Sequence, residues 1–457
     1  MQTVSGSELS HSTARAVRGS VFFLTDDPGI EPDPLDYYEF YDDGILVLGD
    51  DGHILDAGDY NQIVAKYRLS VSEITDFRGR FILPGFIDTH IHYPQAEIIA
   101  AYGEQLVHWL EKYAYPAESR YADIVYARTV SRFFLSELLR NGVTTALIFG
   151  SAHKASIDAL FTEADKLNLR IIAGKVMMDR NAPDNLLDTP ETAKADNEAL
   201  IAAWHKKNRI QYAITPRFAI TSSTEQLSIA GQLYHAHDDL YLQTHVAENL
   251  NEISLAKKLY PTAKSYLHVY ANFGLVGPRS IFAHGIHLTE DEFDLLAEKK
   301  AALSFCPTSN LFLGSGLFNF NKVHQKNILL GLGSDVGAGT SFSMFQTMNE
   351  AYKVVQLHQT INQQSGNKAL LTPFKAFYLA TLGAARALYL DNKLGSFLPG
   401  KEGDFIVLNP EATPILKFRM LNTQSLAERL FVLMMLADDR SIESVYIMGR
   451  RWHEGNI

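Results

Sequence analysis

From Pro84 onward the chain alternates apolar runs of strand length with longer helical stretches, and this rhythm limits the possible folds more than any single motif does. Strands separated by helical crossovers pair in parallel, since the chain needs that length to return and start again in the same direction. The opening run begins at Phe86. Seven more cover 143–149, 175–178, 210–215, 240–245, 280–284, 302–306 and 328–335, with helical patterns such as 122–141 between them. Eight such units are what a closed barrel requires, so the expected fold class is α/β, with a (β/α)8 TIM-type barrel at its centre.

The chain ends follow a different pattern. Residues 16–83 read as short strands joined by turns, most clearly where Gly44-Ile45-Leu46-Val47-Leu48-Gly49 and His53-Ile54-Leu55-Asp56-Ala57-Gly58 flank Asp50-Asp51-Gly52. That is a hairpin signature. Strand-and-turn character returns at 395–408 and 444–449. The expectation is therefore a barrel at 84–390 beside a small β-sandwich domain built from 1–83 and 391–457. The first 15 residues are polar and read as a loose tail rather than a secretory signal. No apolar run approaches the roughly 20 residues that span a bilayer, so a cytoplasmic protein without membrane attachment is expected. A net charge of −11 and a pI near 5.8 argue against nucleic acid as a partner and leave a small uncharged or cationic ligand.

Several of the barrel runs finish in side chains that bind metals. The first ends in His90-Ile91-His92, and in a strand two residues one apart project to the same face, so both imidazoles aim at one point. His245 closes the run at 240–245, with Glu248 three residues later; His284 closes 280–284, and Asp335 closes 328–335. Barrel active sites form at the C-terminal ends of the strands, so these groups are expected to meet at one rim. Imidazole and carboxylate together suit a divalent metal. The single cysteine, Cys306, excludes an internal disulfide and a Pro-Cys-x-x-Cys zinc site, so any zinc must use His, Asp or Glu; from the joint strand-end pattern the expected ligands are His90, His92, His245 and Asp335.

Pro84-Gly85-x-x-Asp88-x-His90-x-His92, His245, His284 and Asp335 stand in the order found in the amidohydrolase superfamily. The stretch Thr381-Leu382-Gly383-Ala384-Ala385-Arg386-Ala387-Leu388, with Gly403-Asp404-Phe405, resembles that superfamily's exit from the barrel, so the likeness runs the length of the chain. His92-Tyr93-Pro94-Gln95, the segment from Trp109 to Glu118, Thr215-Pro216-Arg217-Phe218, Ser334-Asp335-Val336 and Ser341-Phe342-Ser343-Met344 resemble its guanine-deaminating branch. Ala247 and the Gly337-Ala338-Gly339 run depart from that branch's usual residues without removing a reactive group.

The resemblance implies a hydrolase of purine catabolism that uses one zinc ion per subunit and water to deaminate guanine, commonly as a homodimer. It implies Glu248, His284 and Asp335 as catalytic groups, with Glu248 protonating the ring at N3. His92, Gln95, Arg217, Phe218, His245, Glu248 and Asp335 would contact substrate. Arg217 would donate to the O6 carbonyl, which favours a 6-oxo purine over adenine. Lys175 sits at the start of its run rather than its end and reads as structural, so one metal rather than two is expected. Trp109 could line the pocket mouth or belong to the core. Two alternatives stay open: a related deaminase or chlorohydrolase acting on a pterin, triazine or adenosine-like ring, and a catalytically inactive scaffold.

Overall fold

The computed structural model describes residues 15–102, 105–361 and 369–452, so the polar tail expected over the first 15 residues lies outside them except for Arg15. Four strands come first: β1 (Arg15–Leu24), β2 (Tyr38–Leu48), β3 (Ile54–Asp59) and β4 (Ile74–Pro84). β2 and β3 form the expected hairpin around Asp50-Asp51-Gly52, with Gly44 opposite Asp59. The chain then passes into the barrel through Gly85 alone. A Cβ at that position would lie 2.2 Å from Thr144 Oγ1, so only glycine permits so close a crossing.

The barrel strands are β5 (Phe86–His92), β6 (Val143–Phe149), β7 (Arg170–Gly174) with its short continuation β8 (Val176–Met177), β9 (Ile210–Pro216), β10 (Tyr241–Val246), β11 (Ser280–His284), β12 (Ala302–Phe305) and β13 (Leu329–Leu332). Every neighbouring pair is parallel and the order follows the sequence. Two expectations need correction. The third strand begins at Arg170 rather than Lys175; the arginine's charge hides the short apolar run Ile171-Ile172-Ala173 behind it. The last strand stops at Leu332, so Asp335 stands on the loop beyond it rather than at its end.

Alternation along the strands sorts the side chains into layers. Ile87, Leu147, Ile172, Ala213, Tyr241, Ile281 and Ala302 face the axis and pack on Ala384, Ala385, Leu388 and Leu390, whose segment plugs the barrel floor. On β10 the same parity carries Tyr241 in the floor, Gln243 above it and His245 at the rim. Tyr241 donates its hydroxyl to the Leu388 carbonyl at 2.6 Å, and Gln243 donates to Thr215 Oγ1 and the Ile148 carbonyl. The floor is thus a packed core and the opening lies above it.

Three further strands, β14 (Phe405–Leu408), β15 (Ile442–Ile447) and β16 (Arg450–Arg451), join the first four in one sheet of order β16-β15-β14-β4-β1-β2-β3. All its pairs are antiparallel except β1 with β4. The sheet doubles over an apolar interior that includes Phe23, Leu46, Ile82, Phe397, Phe405 and Tyr446. Its ends meet where the Gly403 N–H donates to the Gly52 carbonyl and the Gly449 N–H to the Gly403 carbonyl. Between β14 and β15 the chain also forms helices Pro414–Met420 and Leu426–Leu436, which the strand reading of the C-terminal segment did not foresee. Leu430, Leu433 and Met434, spaced for one helix face, bury against the main core.

A buried ionic cluster fastens this sheet to the barrel floor. Arg209, just before β9, donates to Glu402 at 2.6 Å and to Asp404 at 2.5 Å, and Arg170 at the start of β7 donates to Glu402 at 2.9 Å. Burial would raise the Glu402 carboxyl, but the two guanidinium groups hold it below its ordinary value. Removing one member strands the rest in low dielectric. Arg209→Met is expected to cost about 3–5 kcal/mol of stability. Thermal and urea unfolding measure this, and a loss under about 1 kcal/mol would mean that water replaces the guanidinium.

Candidate metal centre and substrate pocket

The rim above the barrel floor brings four histidines and two carboxylates together. His90 Nε2 lies 3.3 Å from His92 Nε2, and His92 Nε2 lies 3.2 Å from His245 Nε2. Asp335 Oδ1 stands 3.2 Å from His90 Nε2 and 3.4 Å from His92 Nε2. His284 Nε2 sits between the acids, 3.8 Å from Asp335 Oδ2 and 3.5 Å from Glu248 Oε2.

Local backbone explains how each group arrives. Pairing of β5 with β6 shifts register between Asp88 and Ile91, so Ile87 and His90, of opposite parity, can both face the axis while Ile91 packs outward. On β11, Ile281 faces the axis and Phe282 the helices, which would send His284 outward as well. Its left-handed backbone, φ +71°, turns the ring inward. Asp335 has φ +52° and is held by its N–H, which donates to the His90 carbonyl at 2.9 Å. The next segment passes close to the pocket wall: a Cβ at Gly337 would lie 2.5 Å from the Gln95 carbonyl oxygen, which accounts for that glycine.

The donor set fits a divalent cation. His245 Nδ1–H donates to the Arg217 carbonyl at 2.7 Å, leaving the Nε2 lone pair for the shared centre. The Nε2 atoms of His90 and His245 lie 3.3 and 3.2 Å from that of His92, no donor among the described residues satisfies all three lone pairs, and a carboxylate lies alongside. Burial lowers His92 to about 4 and His245 well below its ordinary value, so both stay neutral, as metal ligands must. Burial would raise Asp335, but His90, His92 and His284 hold it well below the usual carboxylate range. His90 with His92 and His245, and His90 with His284 and Asp335, each form a group whose ligand atoms lie within 4.8 Å of one another.

Glu248 behaves in the opposite way. It is 3% exposed, and burial with the nearby Asp335 charge pushes its carboxyl up to about 8, against a hydroxyl donated by Ser315 at 2.9 Å. An acid that keeps its proton near neutrality is suited to proton delivery. Glu252 supports it by accepting the backbone N–H groups of Glu248 and Asn249.

A pocket opens beside this cluster, lined by His92, Gln95, Arg217, Phe218, His245, Glu248, His284 and Asp335 together with Leu106, Trp109, Leu110, Leu313 and Ala338. Every candidate site residue named from the sequence falls in the pocket wall or, for His90, in the cluster beneath it. Trp109 proves to be both buried and part of the wall. Lys175 is not part of it; its ammonium pairs with Asp188 at 2.6 Å. Ala247 also stays outside the wall.

Sequence reasoning missed three residues. Asn310 Oδ1 accepts from His284 Nδ1 at 2.9 Å and orients that ring, Ser315 contacts Glu248, and Glu118 bonds both Arg217 and Gln95. The segment 109–118 had been singled out as a whole, but nothing marked its last residue as buried.

The Amidohydrolase family model matches residues 81–452, and the chain belongs to the amidohydrolase family. It is 50% identical over 445 residues to the guanine deaminase of Escherichia coli (strain K12), across 97% of this chain and 99% of that relative. Among solved structures it is similar to E. coli guanine deaminase, with a TM-score of 0.91 at 50% identity over 96% of this chain and 99% of that one. A guanine deaminase from C. acetobutylicum with bound guanine in the active site is similar at a TM-score of 0.87 and 30% identity, over 96% and 100% of the two chains.

A metal that binds only the folded rim stabilises it, by about 2.7 kcal/mol at a hundredfold excess over its dissociation constant. Protein stripped by a chelator is therefore expected to melt earlier and to recover when a divalent ion is added back. His90→Ala should abolish that recovery. Equal melting curves for stripped and reloaded wild-type protein would count against a metal at this rim.

Proposed function

We propose that the chain is a guanine deaminase that hydrolyses guanine to xanthine and ammonia in purine catabolism. The observation that carries this reading is one pocket that joins a metal-competent His/Asp cluster and Glu248, whose burial raises its carboxyl, to a buried Arg217 and Gln95. The names of the relatives agree with it.

In this reading His90, His92, His245 and Asp335 hold one zinc ion per subunit, whose chemistry is to make water nucleophilic at neutral pH. Arg217 and Gln95 bind the O6 edge of the base, and Phe218 offers its apolar face. Water adds to C2, with Asp335 taking a proton and His284 steadying the incoming oxygen. Glu248 gives its proton to N3. The C2–N bond then breaks; of the two water hydrogens, one leaves in ammonia and the other returns to Glu248, which restores the acid for the next turnover.

Residues 84–390 would form the catalytic body, with 1–83 and 391–457 supporting it. A homodimer is part of the proposal, and the exposed Ile415, Phe418 and Leu421 offer apolar surface for a second copy. No helix among the described residues is long and apolar enough to cross a membrane, which agrees with a cytoplasmic enzyme.

Ammonia release measured across guanine, adenine, pterins and triazines tests the assignment. Guanine is expected to be the best substrate, and faster turnover of any other ring would replace guanine while leaving the chemistry. Glu248→Gln should keep its metal and lose about 10²–10⁴-fold in turnover, because only the proton carrier is gone. Activity within tenfold of wild type would overturn the proton route. Arg217→Ala should raise KM for guanine and relax discrimination against 6-amino purines; an unchanged substrate profile would remove Arg217 from the recognition role.

A further inference from the structure

We propose that Glu118 is a specificity-positioning residue: it sets which way round the Gln95 amide points, and through it which purine edge the pocket accepts. The inference rests on the guanine reading and deepens it.

Glu118 is fully buried on the short helix Tyr115–Ser119, and among the described residues its carboxylate bonds two pocket residues. Oε1 accepts from Gln95 Nε2 at 2.9 Å and from Arg217 Nη1 at 2.9 Å, and Oε2 accepts from Arg217 Nη1 at 2.7 Å. Arg217 is 2% exposed, so the pair is an ion pair in low dielectric.

An amide is nearly symmetric in shape, and its two ends exchange by a flip of the terminal group. Here each end has a partner of only one kind. A carboxylate can only accept, so it requires Nε2 on its side; the Gly337 N–H, 3.4 Å from Gln95 Oε1, can only donate. With those bonds made, one N–H of Nε2 and one lone pair of Oε1 have no partner among the described residues, and Gln95 lines the pocket.

That leaves a donor beside an acceptor. The O6 and N1–H edge of a 6-oxo purine is an acceptor beside a donor, the exact complement. A 6-amino purine presents a donor beside an acceptor on the same edge, which matches only the flipped amide. Arg217, pinned at Nη1 by the same carboxylate, is a donor in every rotamer and points to the same choice. The selection of a lactam edge therefore traces to a residue that lies behind Gln95 and Arg217 and makes its hydrogen bonds to them.

The measuring substrate is 2,6-diaminopurine, which keeps the 2-amino leaving group of guanine and inverts the O6/N1 edge. In the full-length, metal-loaded protein, Glu118→Gln offers Gln95 a donor as well as an acceptor and frees the flip. The ratio of kcat/KM for guanine over 2,6-diaminopurine is expected to fall by about tenfold or more, with the loss on guanine carried mainly by KM. In a Gln95→Ala background the same substitution should shift that ratio at least threefold less, since there is no amide left to orient. Equal proportional losses on both substrates, with the ratio unchanged, would show that Glu118 only braces the fold and would overturn the proposal.

If Glu118→Gln does not fold, Glu118→Asp keeps the charge but draws it back by one methylene, and the same fall in ratio is expected. Wild-type protein supplies a check that needs no variant: 1-methylguanine lacks the N1–H that Oε1 would accept and should be at least about tenfold poorer than guanine. Equal turnover of the two would overturn the fixed amide. Wild-type protein that releases no ammonia from guanine would instead sink the functional reading itself, so the two failures are distinguishable.

Discussion

Barrel closure between β5 and the exit of β13 is the constraint on which the rim depends. The Asp335 N–H donates to the His90 carbonyl and the His92 N–H to the Val336 carbonyl, both at 2.9 Å. Asp88 completes the seam from one side by accepting the N–H and hydroxyl of Ser334 and the N–H of His90. Burial pushes Asp88 up to about 6, and those three donated bonds work against that shift. Without the seam, two imidazoles and the carboxylate that faces them would belong to opposite ends of an open sheet.

Recognition and metal binding share backbone as well as space. Arg217 offers its side chain to the pocket while its carbonyl accepts from His245 Nδ1 and Thr244 Oγ1. Its guanidinium leans on Glu118, which also holds Gln95, three residues beyond His92. A displacement of Arg217 is therefore felt at His245, and one of Gln95 at the end of β5. Glu248 is set separately, by Ser315 on a loop whose flanking Gly314 and Gly316 both have positive φ.

How much of this was legible in the sequence differs by element. A strand of period two that ends in histidine could be read directly at His245, and alternation put His90 and His92 on one shared face, but the register shift after Asp88 that turns that face toward the axis leaves no mark in the sequence. His284 was assigned to the rim correctly, although its parity with Phe282 argued for the opposite face; only a left-handed residue resolves that, and no sequence rule supplies it. The third strand was displaced because Arg170 reads as a boundary when its charge is in fact taken up by Glu402. Helices 414–420 and 426–436 were overlooked because strand signals on either side framed them.

By itself the sequence determined the fold class, the order of the candidate ligands and the residue types facing the pocket. The first two follow from local periodicity and from the polar side chains that end apolar runs, which survive in one dimension, while Gln95, Arg217 and Phe218 as pocket residues were implied by the resemblance to a known family. Only the tertiary structure decided who partners whom. Glu118 lies in a helical stretch where an acid ordinarily faces water, and its burial against Arg217 depends on packing between segments far apart in the chain. Hydrogen-bond complementarity at the pocket is a property of that packing, so it appears only once the barrel has closed.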